Sequence, residues 1–423
     1  MKRHLPVIAV LLGLLAAALL AGASAPAPAA AGSAVPLTFY QHAPAGWQAK
    51  PVGTLLKWQR ETRLSGVLHG LYAYRVMYVS RGAKDGAARG GKVIETGMIF
   101  VPKAGPLPSG GRPIVAWGHG TAGVGDSAAP SRYPWLYPEP ASAPWLVYGG
   151  FVGKVGRMGY IVTCPDYEGL GTPGLHTYMD SGSEGRAMID AVRAARHLAA
   201  LLGVSASASW AATGHSQGGQ ASLAAAEMAK TYGRGLSLKA VVALAPGANL
   251  EQVMQGAVTL PDWYPYMGYM AWGIKALDRG LDFHFADVVG PWVLPYVARA
   301  PQLYFDQWWA TMLLAHWDGK YPAGAPKVPQ ASDVVVSGWQ SNPAVRRFFR
   351  DAAVGRRHAS SAILVLQGTK DLLYVQYPAL MAQLRAAGDN ARGRVLPGQS
   401  HDMAVTYGWP WTKAFLKAHL PAS

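Results

Sequence analysis

The segment "AATGHSQGGQAS", residues 211–222, places a single serine, Ser216, inside a cluster of glycines. Glycine destabilises regular secondary structure, so such a cluster marks a backbone conformation that other residues cannot adopt. An apolar, strand-like run precedes Ser216 and an alanine-rich, helix-like run follows it. The pattern predicts a nucleophile elbow, in which Gly214 and Gly218 allow a sharp turn that holds the serine exposed and strained.

Predicted strands and helices alternate around this elbow. A helix is predicted at 181–203, before the elbow, and another at 217–232, after it. Strands that alternate with helices form a parallel sheet covered by helices on both faces, so the fold class is α/β. The predicted strands share apolar or β-rich composition: "LYAYRVMYVS" (71–80), "VIETGMIFVP" (93–102), "RPIVAWGHG" (112–120), "GYIVTCPDYEGLG" (159–171), "ASWAATGHS" (208–216) and "LKAVVALAPG" (238–247).

The helix predicted at 181–203 has recognisable end signals. Ser181 and Glu184 have the spacing of a capping box, and Gly203 stands where a helix C-terminal glycine belongs. The apolar residues expected on its buried face recur at helical spacing: Met188, Val192, Ala195, Ala199 and Leu202.

The alternation of strands and helices breaks at about 248 and returns at about 358. Seven of the fifteen tryptophans lie in this interval, so it is predicted to have its own apolar interior. Residues 248–357, called the cap below, are therefore predicted to be an insertion between two parts of one core, 32–247 and 358–423. Aromatic residues in the cap are expected to line an apolar pocket or to form the interior of the insertion.

A serine nucleophile needs a base, and in this kind of sheet the chain order is serine, acid, histidine. His401 lies in the loop "GQSHD" after a short predicted strand, where its ring can reach Ser216. His419, the other histidine near the end of the chain, lies in a predicted terminal helix. His401 is the predicted base.

Three aspartates compete for the role of the acid. Asp371 follows the predicted strand "SAILVLQG" and is expected at the carboxyl edge of the sheet. Asp389 lies in a predicted turn, where aspartate is a common turn former, and Asp402 is badly placed because it adjoins His401 in sequence. The sequence therefore predicts the triad Ser216, Asp371 and His401.

An oxyanion hole needs two backbone N–H donors. One is predicted to be Gln217, which follows the nucleophile, and the other Gly120 or Thr121, in the loop "WGHGTAG". His119 is predicted to shape that loop, and His215 to pack away from the serine. Cys164, the single cysteine, is predicted to be a buried strand residue.

The composition argues against several other classes of protein. The net charge is +15, but the lysines and arginines are scattered and form no nucleic-acid-binding motif, so no nucleic-acid partner is predicted. No H-E-x-x-H or dinucleotide fingerprint is present, and the chemistry is predicted to need neither metal nor cofactor. One cysteine permits no internal disulfide.

The N-terminus has the pattern of a secretory signal peptide. A basic start, "MKRH", precedes an apolar run that ends in small residues. Cleavage is expected after Ala23 or within the Ala/Pro linker up to Ala31, which assigns residues 1–31 to signal and linker. An uncleaved membrane anchor is the alternative. The expected location is secreted or periplasmic.

Together these features resemble the α/β-hydrolase superfamily, and within it the secretory lipase family, the group of fungal lipase A and its bacterial relatives. The likeness extends from about residue 65 to 415. Fungal members carry disulfides, which this chain cannot form, so the resemblance does not predict how rigid the cap is. The motifs that carry the resemblance are "GHSQGG" (214–219), "WGHGTAG" (117–123), "CPDYEGLG" (164–171) and the order of the triad.

The resemblance implies an α/β-hydrolase sheet with helices on both faces and a large, mainly helical cap inserted after the sixth strand. It implies a secreted hydrolase of carboxylic esters, either lipid or small-molecule, that forms an acyl-enzyme on Ser216. An acyltransferase using the same triad, a peptidase of the same fold and a non-catalytic binding module are the alternatives. Acyl chain length, contact with a lipid interface and oligomeric state are not predicted.

Overall fold

A computed structural model describes most of the chain outside its N-terminus. The predicted signal segment 1–31 lies outside the described residues, as do the cap residues 303–330. Among the helices that are described, none combines the length and hydropathy needed to cross a membrane. The described ranges are 35–63, 66–105, 107–133, 143–260, 263–278, 281–302 and 331–422.

One mixed sheet organises the part of the chain that the structure describes. Its nine strands have the spatial order β1-β2-β3-β5-β4-β6-β7-β8-β9, antiparallel from β1 to β5 and parallel from β5 to β9. Every strand predicted above is present, so the α/β prediction is confirmed. The strands are β1 (Leu55–Glu61), β2 (Leu71–Arg81), β3 (Lys92–Pro102), β4 (Arg112–Gly118), β5 (Ile161–Pro165), β6 (Ala206–His215), β7 (Ser237–Leu244), β8 (Ala362–Gly368) and β9 (Ala391–Leu396).

Helices cover both faces of the sheet. Helices α3, α4 and α10 pack on one face, and α2, α11 and α12 on the other, each with its own apolar core. The α-helices are α1 (Thr38–Gln41), α2 (Ala143–Arg157), α3 (Ser181–Leu201), α4 (Gln217–Met228), α5 (Leu250–Ala257), α6 (Pro265–Ala276), α7 (Leu294–Val297), α8 (Ala331–Val334), α9 (Pro343–Ala352), α10 (Tyr377–Ala386), α11 (Met403–Tyr407) and α12 (Trp409–His419).

Strand β1 and helix α2 are elements that the sequence pattern does not predict. Strand β1, "LLKWQRE", lies at the edge of the sheet, and the middle of it is exposed, so its sequence lacks a clear apolar alternation. Helix α2 contains four glycines, which disfavour a helix in isolation. Because β1 precedes the others, the cap follows the seventh strand in chain order rather than the sixth.

The start of α3 differs from the predicted capping box. Asp180 is the N-cap, and its side chain accepts a hydrogen bond from the Ser183 N–H at 2.5 Å. Ser181 lies inside the helix and donates to the Asp351 carbonyl, while Glu184 is fully buried and contacts other elements. The spacing of Ser181 and Glu184 predicts a capping box, but Glu184 is buried among other elements and therefore does not cap the helix. Gly203 does follow the helix with a left-handed φ of 68°.

The described residues between β7 and β8 form short helices, α5 to α9, around a separate apolar core. An isolated antiparallel bridge joins Val289 and Val335. Tyr178 and Met179, from the segment before α3, belong to the same core and connect it to the sheet. This core lies against the end of β6, where Ser216 is found. Its largest fully buried members are Tyr269, Phe283 and Phe348.

Candidate active site

Ser216 joins β6 to α4 in a strained backbone conformation. Its φ is 58° and its ψ is −117°, a region that non-glycine residues rarely occupy. The Ser216 N–H donates to the Leu244 carbonyl at 2.9 Å, and its carbonyl accepts from the Gly247 N–H at 3.2 Å. Such a conformation costs about 1–3 kcal/mol and persists only where its surroundings fix it. The geometry is that of a nucleophile elbow.

The glycines around Ser216 have a different role from the predicted one. Neither Gly214 nor Gly218 has a positive φ, so the unusual torsion is carried by Ser216 itself. A Cβ atom on Gly218 would collide with the carbonyl of Gly118, and one on Gly214 would collide with the carbonyl of Gly218. These glycines are therefore required because β4, β6 and α4 approach one another backbone to backbone.

His401 and Asp371 form a hydrogen-bonded pair at the carboxyl end of the sheet. The His401 Nδ1–H donates to Asp371 Oδ2 at 2.8 Å. The same oxygen accepts from Gln367 Nε2 at 2.6 Å, and Asp371 Oδ1 accepts from the Leu373 N–H at 2.9 Å. Because Nδ1 carries the proton in the neutral ring, Nε2 of His401 has a free lone pair. That tautomer suits a general base.

The pair also shifts the pKa values of both its members. Burial lowers the pKa of His401, but the charge and hydrogen bond of Asp371, together with the charge of Asp402, outweigh it and raise the pKa above its ordinary value. Burial raises the pKa of Asp371, but the charge and hydrogen bond of His401, joined by two further donors, hold it below its ordinary value. Asp371 is therefore ionised at neutral pH.

The competing aspartates do not hydrogen-bond to His401. Asp389 accepts from the Ala359 N–H at 2.7 Å and lies 3.0 Å from Nδ1 of His358. Asp402 affects His401 only through its charge. His419 lies in α12, as predicted, with its ring against Phe415.

His215 connects the elbow to His401. In the described residues Ser216 Oγ makes no hydrogen bond to His401, and such bonds are often long in ligand-free sites. Instead, the two histidine rings pack with centroids 4.5 Å apart, and the Nε2–H of His215 donates to the His401 carbonyl at 3.1 Å. Burial, followed by repulsion from His401, lowers the pKa of His215 to about 3, so its ring is neutral. The Tyr148 hydroxyl therefore donates to Nδ1 of His215 at 2.6 Å.

The prediction that His215 packs away from the nucleophile agrees with its contacts. The sequence does not predict that His215 hydrogen-bonds to the His401 carbonyl. Tyr148 is missed altogether, because it lies 67 residues before His215 in the unpredicted helix α2. The one available signal was that His215 directly precedes Ser216.

The predicted oxyanion donors lie at the start of α4 and in the loop that follows β4. Gln217 is the first residue of α4, so its N–H has no acceptor within the helix. The carbonyl of Gly120 accepts from Nδ1 of His119 at 2.6 Å, and a Gly120 backbone hydrogen bond reaches the Tyr148 phenol. The Thr121 hydroxyl is paired with the Tyr178 hydroxyl at 2.9 Å. Since the Gly120 N–H is engaged by Tyr148, we propose the Thr121 N–H as the second donor.

His119 and Cys164 are placed as predicted. Burial lowers the pKa of His119 to about 4, and the ring is held between the carbonyls of Gly120 and Asp166. Cys164 is buried in β5, and burial raises the pKa of its thiol well above its ordinary value. A protonated, inaccessible thiol is not a nucleophile.

A small apolar pocket opens beside Ser216. Its cavity is about 30 Å³, room for a single water molecule. The lining comes mainly from the cap and from the segment before α3: Tyr178, Met179, Leu250, Val253, Met254, Trp263, Tyr266, Met270 and Phe348, with Gln217, Gly247 and Leu373 from the core.

One group of described side chains has metal-ligand spacing. Candidate ligand atoms of His215, His401 and Asp402 lie within 4.8 Å of one another. Both ring nitrogens of His215 are already engaged in hydrogen bonds, and Nδ1 of His401 is bonded to Asp371. We therefore assign this group no metal, and the predicted metal-free, cofactor-free chemistry stays a prediction.

The chain is similar to a known protein family and to solved structures. Residues 151–288, which include the elbow, match the model of the secretory lipase family. The fold is similar to lipase A of Candida antarctica, with 15% identity and a TM-score of 0.69 over 92% of this chain and 89% of that one. It is also similar to the rice cell wall degrading esterase LipA of Xanthomonas oryzae, with 17% identity and a TM-score of 0.67 over 88% of this chain and 99% of that one. No curated protein sequence matches the chain.

The segment matched by the family model contains Ser216 and Gln217, and the fold similarity extends over most of the chain. The chain has the α/β-hydrolase fold, and its resemblance to the secretory lipase family is confirmed.

Proposed function

We propose that this protein hydrolyses carboxylic esters through an acyl-enzyme on Ser216. The observation that supports this most directly is the His401–Asp371 hydrogen bond, which leaves Nε2 of His401 free, on a histidine packed beside the elbow. The match to the secretory lipase family supports ester substrates. The two similar structures are named as a lipase and an esterase, which supports the same class of reaction.

In the proposed mechanism, Nε2 of His401 accepts the proton of Ser216 as Oγ attacks the ester carbonyl carbon. Asp371 stabilises the resulting imidazolium and holds its tautomer. The N–H groups of Gln217 and Thr121 stabilise the negative oxygen of the tetrahedral intermediate. His401 then donates its proton to the leaving alcohol, and water releases the acid by the same steps in reverse.

We propose that the acyl chain binds under the cap, residues 248–357. The pocket beside Ser216 is lined by aromatic and methionine side chains, which favour an apolar group, and it contains no charged residue among the described ones. The predicted signal segment and the family match support an exported protein. Export, the cap boundaries and the choice of a lipid or a small ester as substrate are part of this proposal.

A panel of p-nitrophenyl esters with acyl chains of rising length tests the function and the pocket together. Each methylene buried in an apolar pocket contributes about 0.8 kcal/mol, which is about fourfold in kcat/KM. We expect kcat/KM to rise with chain length and then to flatten once the pocket is full. No hydrolysis of any ester in the panel would contradict the proposed function.

The variant Trp263→Ala is expected to shift this profile toward longer chains with little change in Tm, because Trp263 lines the pocket and is only partly buried. Trp339→Ala is the matched control: Trp339 is buried against Phe349 outside the pocket, so its loss is expected to cost about 3–5 kcal/mol of stability without moving the profile. For each variant, the kcat/KM values of the different esters are compared with one another. A change in the His401 ring caused by loss of Trp263 would alter all esters alike and would not shift the chain-length profile. If both variants changed only Tm, the cap would not bind the acyl chain.

The pH dependence of kcat/KM should report on His401. The base must be neutral to accept a proton, so kcat/KM is expected to rise with pH through the His401 pKa, with a midpoint above the ordinary value of about 6.5. Asp402→Asn removes a negative charge that favours the imidazolium, so it should move the midpoint to lower pH. A midpoint that does not respond to Asp402→Asn would contradict this assignment of the titrating group.

A further inference from the structure

The side chain of Gln217 is buried and contacts Glu184 and His176, which lie on other segments of the chain. Its Nε2 donates to Glu184 Oε1 at 2.7 Å and contacts Nε2 of His176 at 3.0 Å. Nδ1 of His176 donates to the Glu168 carbonyl at 2.7 Å. Burial lowers the pKa of His176 to about 3, so the ring is neutral and its Nε2 is an acceptor. Both amide protons of Gln217 are therefore used.

Two oxygens of this cluster are buried without a hydrogen-bond partner. They are Oε1 of Gln217 and Oε2 of Glu184, which belong to two groups already joined by one hydrogen bond. A proton on Oε2 of Glu184 turns that atom into a donor, and Oε1 of Gln217 is the complementary acceptor. Oε1 of Glu184 accepts twice, from Gln217 and from the Met179 N–H at 2.8 Å, so Oε2 is the atom free to carry the proton.

The surroundings of Glu184 favour its neutral form. The residue is completely buried on α3, and no arginine or lysine pairs with it among the described residues. Burial raises the pKa of Glu184 well above its ordinary value. A neutral carboxyl group supplies a donor for an unpartnered acceptor, whereas an ionised one would leave both buried oxygens as acceptors without a donor.

Glu184 also holds the wall of the pocket. Met179 has a left-handed φ of 62° and lines the cavity beside Ser216. Its N–H is held by Glu184, and its carbonyl accepts from Gln220 Nε2 at 3.1 Å. One carboxyl group thus fixes both the residue after the nucleophile and a strained residue of the pocket wall.

We propose that Glu184 is a positioning residue, which in its neutral form pairs through two hydrogen bonds with the amide of Gln217 and so fixes the Gln217 N–H for the oxyanion. This rests on the proposed ester hydrolysis. An oxyanion donor contributes about 10²- to 10³-fold to kcat, and a displacement of about 1 Å can remove about 10²-fold, so the orientation of this one N–H matters.

The test compares Glu184→Leu with Glu184→Gln. Leucine removes both hydrogen bonds to Gln217 and the one to the Met179 N–H, and kcat is expected to fall about 10- to 100-fold, with a smaller change in KM. Glutamine supplies an N–H to Oε1 of Gln217 and an oxygen to its Nε2, so kcat should stay within about threefold of wild type. The rate at which a fluorophosphonate labels Ser216 should follow kcat in both variants, because that adduct also places an oxygen in the oxyanion hole.

Glu95→Leu is the matched control. Glu95 is equally buried, burial also raises its pKa well above the ordinary value, and it accepts from the Tyr78 hydroxyl rather than from Gln217 or the Met179 N–H. It is expected to lower Tm without lowering kcat. If Glu184→Leu does not fold, Gln217→Leu carries the same test, since it keeps the backbone N–H and removes the partner amide.

The proposal is overturned if folded Glu184→Leu, or Gln217→Leu in its place, keeps kcat within about twofold, or if Glu184→Gln loses as much as Glu184→Leu. In either case wild-type activity and Ser216 labelling would stand, and only the role of Glu184 would fail. Failure of the proposed function is a separate result: wild-type protein would then hydrolyse no ester and leave Ser216 unlabelled.

Discussion

Replacing Ser216 with alanine is expected to lower ester turnover by about a millionfold while the protein stays folded. The chemistry is lost because Oγ is the proposed attacking atom and the thiol of Cys164 is buried too deeply to replace it. The fold is kept because Oγ makes no hydrogen bond among the described residues, and alanine can occupy the same strained backbone at similar cost. Turnover of a p-nitrophenyl ester and the Tm of the variant are the two measurements.

Labelling by a serine-directed phosphonate provides the control for this experiment. Mass spectrometry of the digested wild-type protein should find the label on Ser216, and Ser216→Ala should take up none. A variant that retained a tenth of the activity, or a label found on another serine, would show that Ser216 is not the nucleophile.

Changing Asp371 to asparagine is expected to lower turnover by about ten-thousandfold. The amide cannot stabilise the imidazolium of His401, and its N–H₂ group favours the tautomer with the proton on Nε2, which is then unable to accept from Ser216. The hydrogen bond of 2.8 Å between His401 and Asp371 is the contact that the substitution alters. The measurement is kcat with a saturating ester, alongside the Tm.

Asp389→Asn is the matched variant, because Asp389 also follows β8 in the chain and lies close to a histidine. Its partners are His358 and the Ala359 N–H, so the substitution should leave kcat nearly unchanged. Loss of activity in Asp389→Asn together with normal activity in Asp371→Asn would reverse the assignment of the acid.

The elements that carry Ser216, Asp371 and His401 could be predicted because each depends on local sequence. A glycine-flanked serine between a strand and a helix, and polar residues that follow short apolar strands, are visible without knowledge of the fold. Strand β1 was not predicted because its middle residues are exposed, including Trp58, which is 42% exposed. Its sequence therefore lacks the alternation of apolar and polar residues that marks a half-buried strand.

Contacts between distant segments could not be predicted in the same way. The spacing of Ser181 and Glu184 fits a capping box, yet Glu184 contacts Gln217, 33 residues away, and Asp180 caps the helix instead. The contact of His215 with the His401 carbonyl spans 186 residues. A local pattern contains no information on which of its polar groups the folded chain will bury, and burial decides what those groups do.

The backbone contact between Gly118 and Gly218 sets the spacing of the two proposed oxyanion donors. Gly118 lies three residues before Thr121, Gly218 directly follows Gln217, and a methyl group on Gly218 would push the end of β4 and the start of α4 apart. The distance between the donors is thus a property of main-chain atoms in contact, and no choice of surrounding side chains can restore it once the contact is widened. Mutant libraries that aim to change substrate preference should hold these glycines constant and vary Val253, Met254 and Met270, whose side chains contribute to the pocket wall.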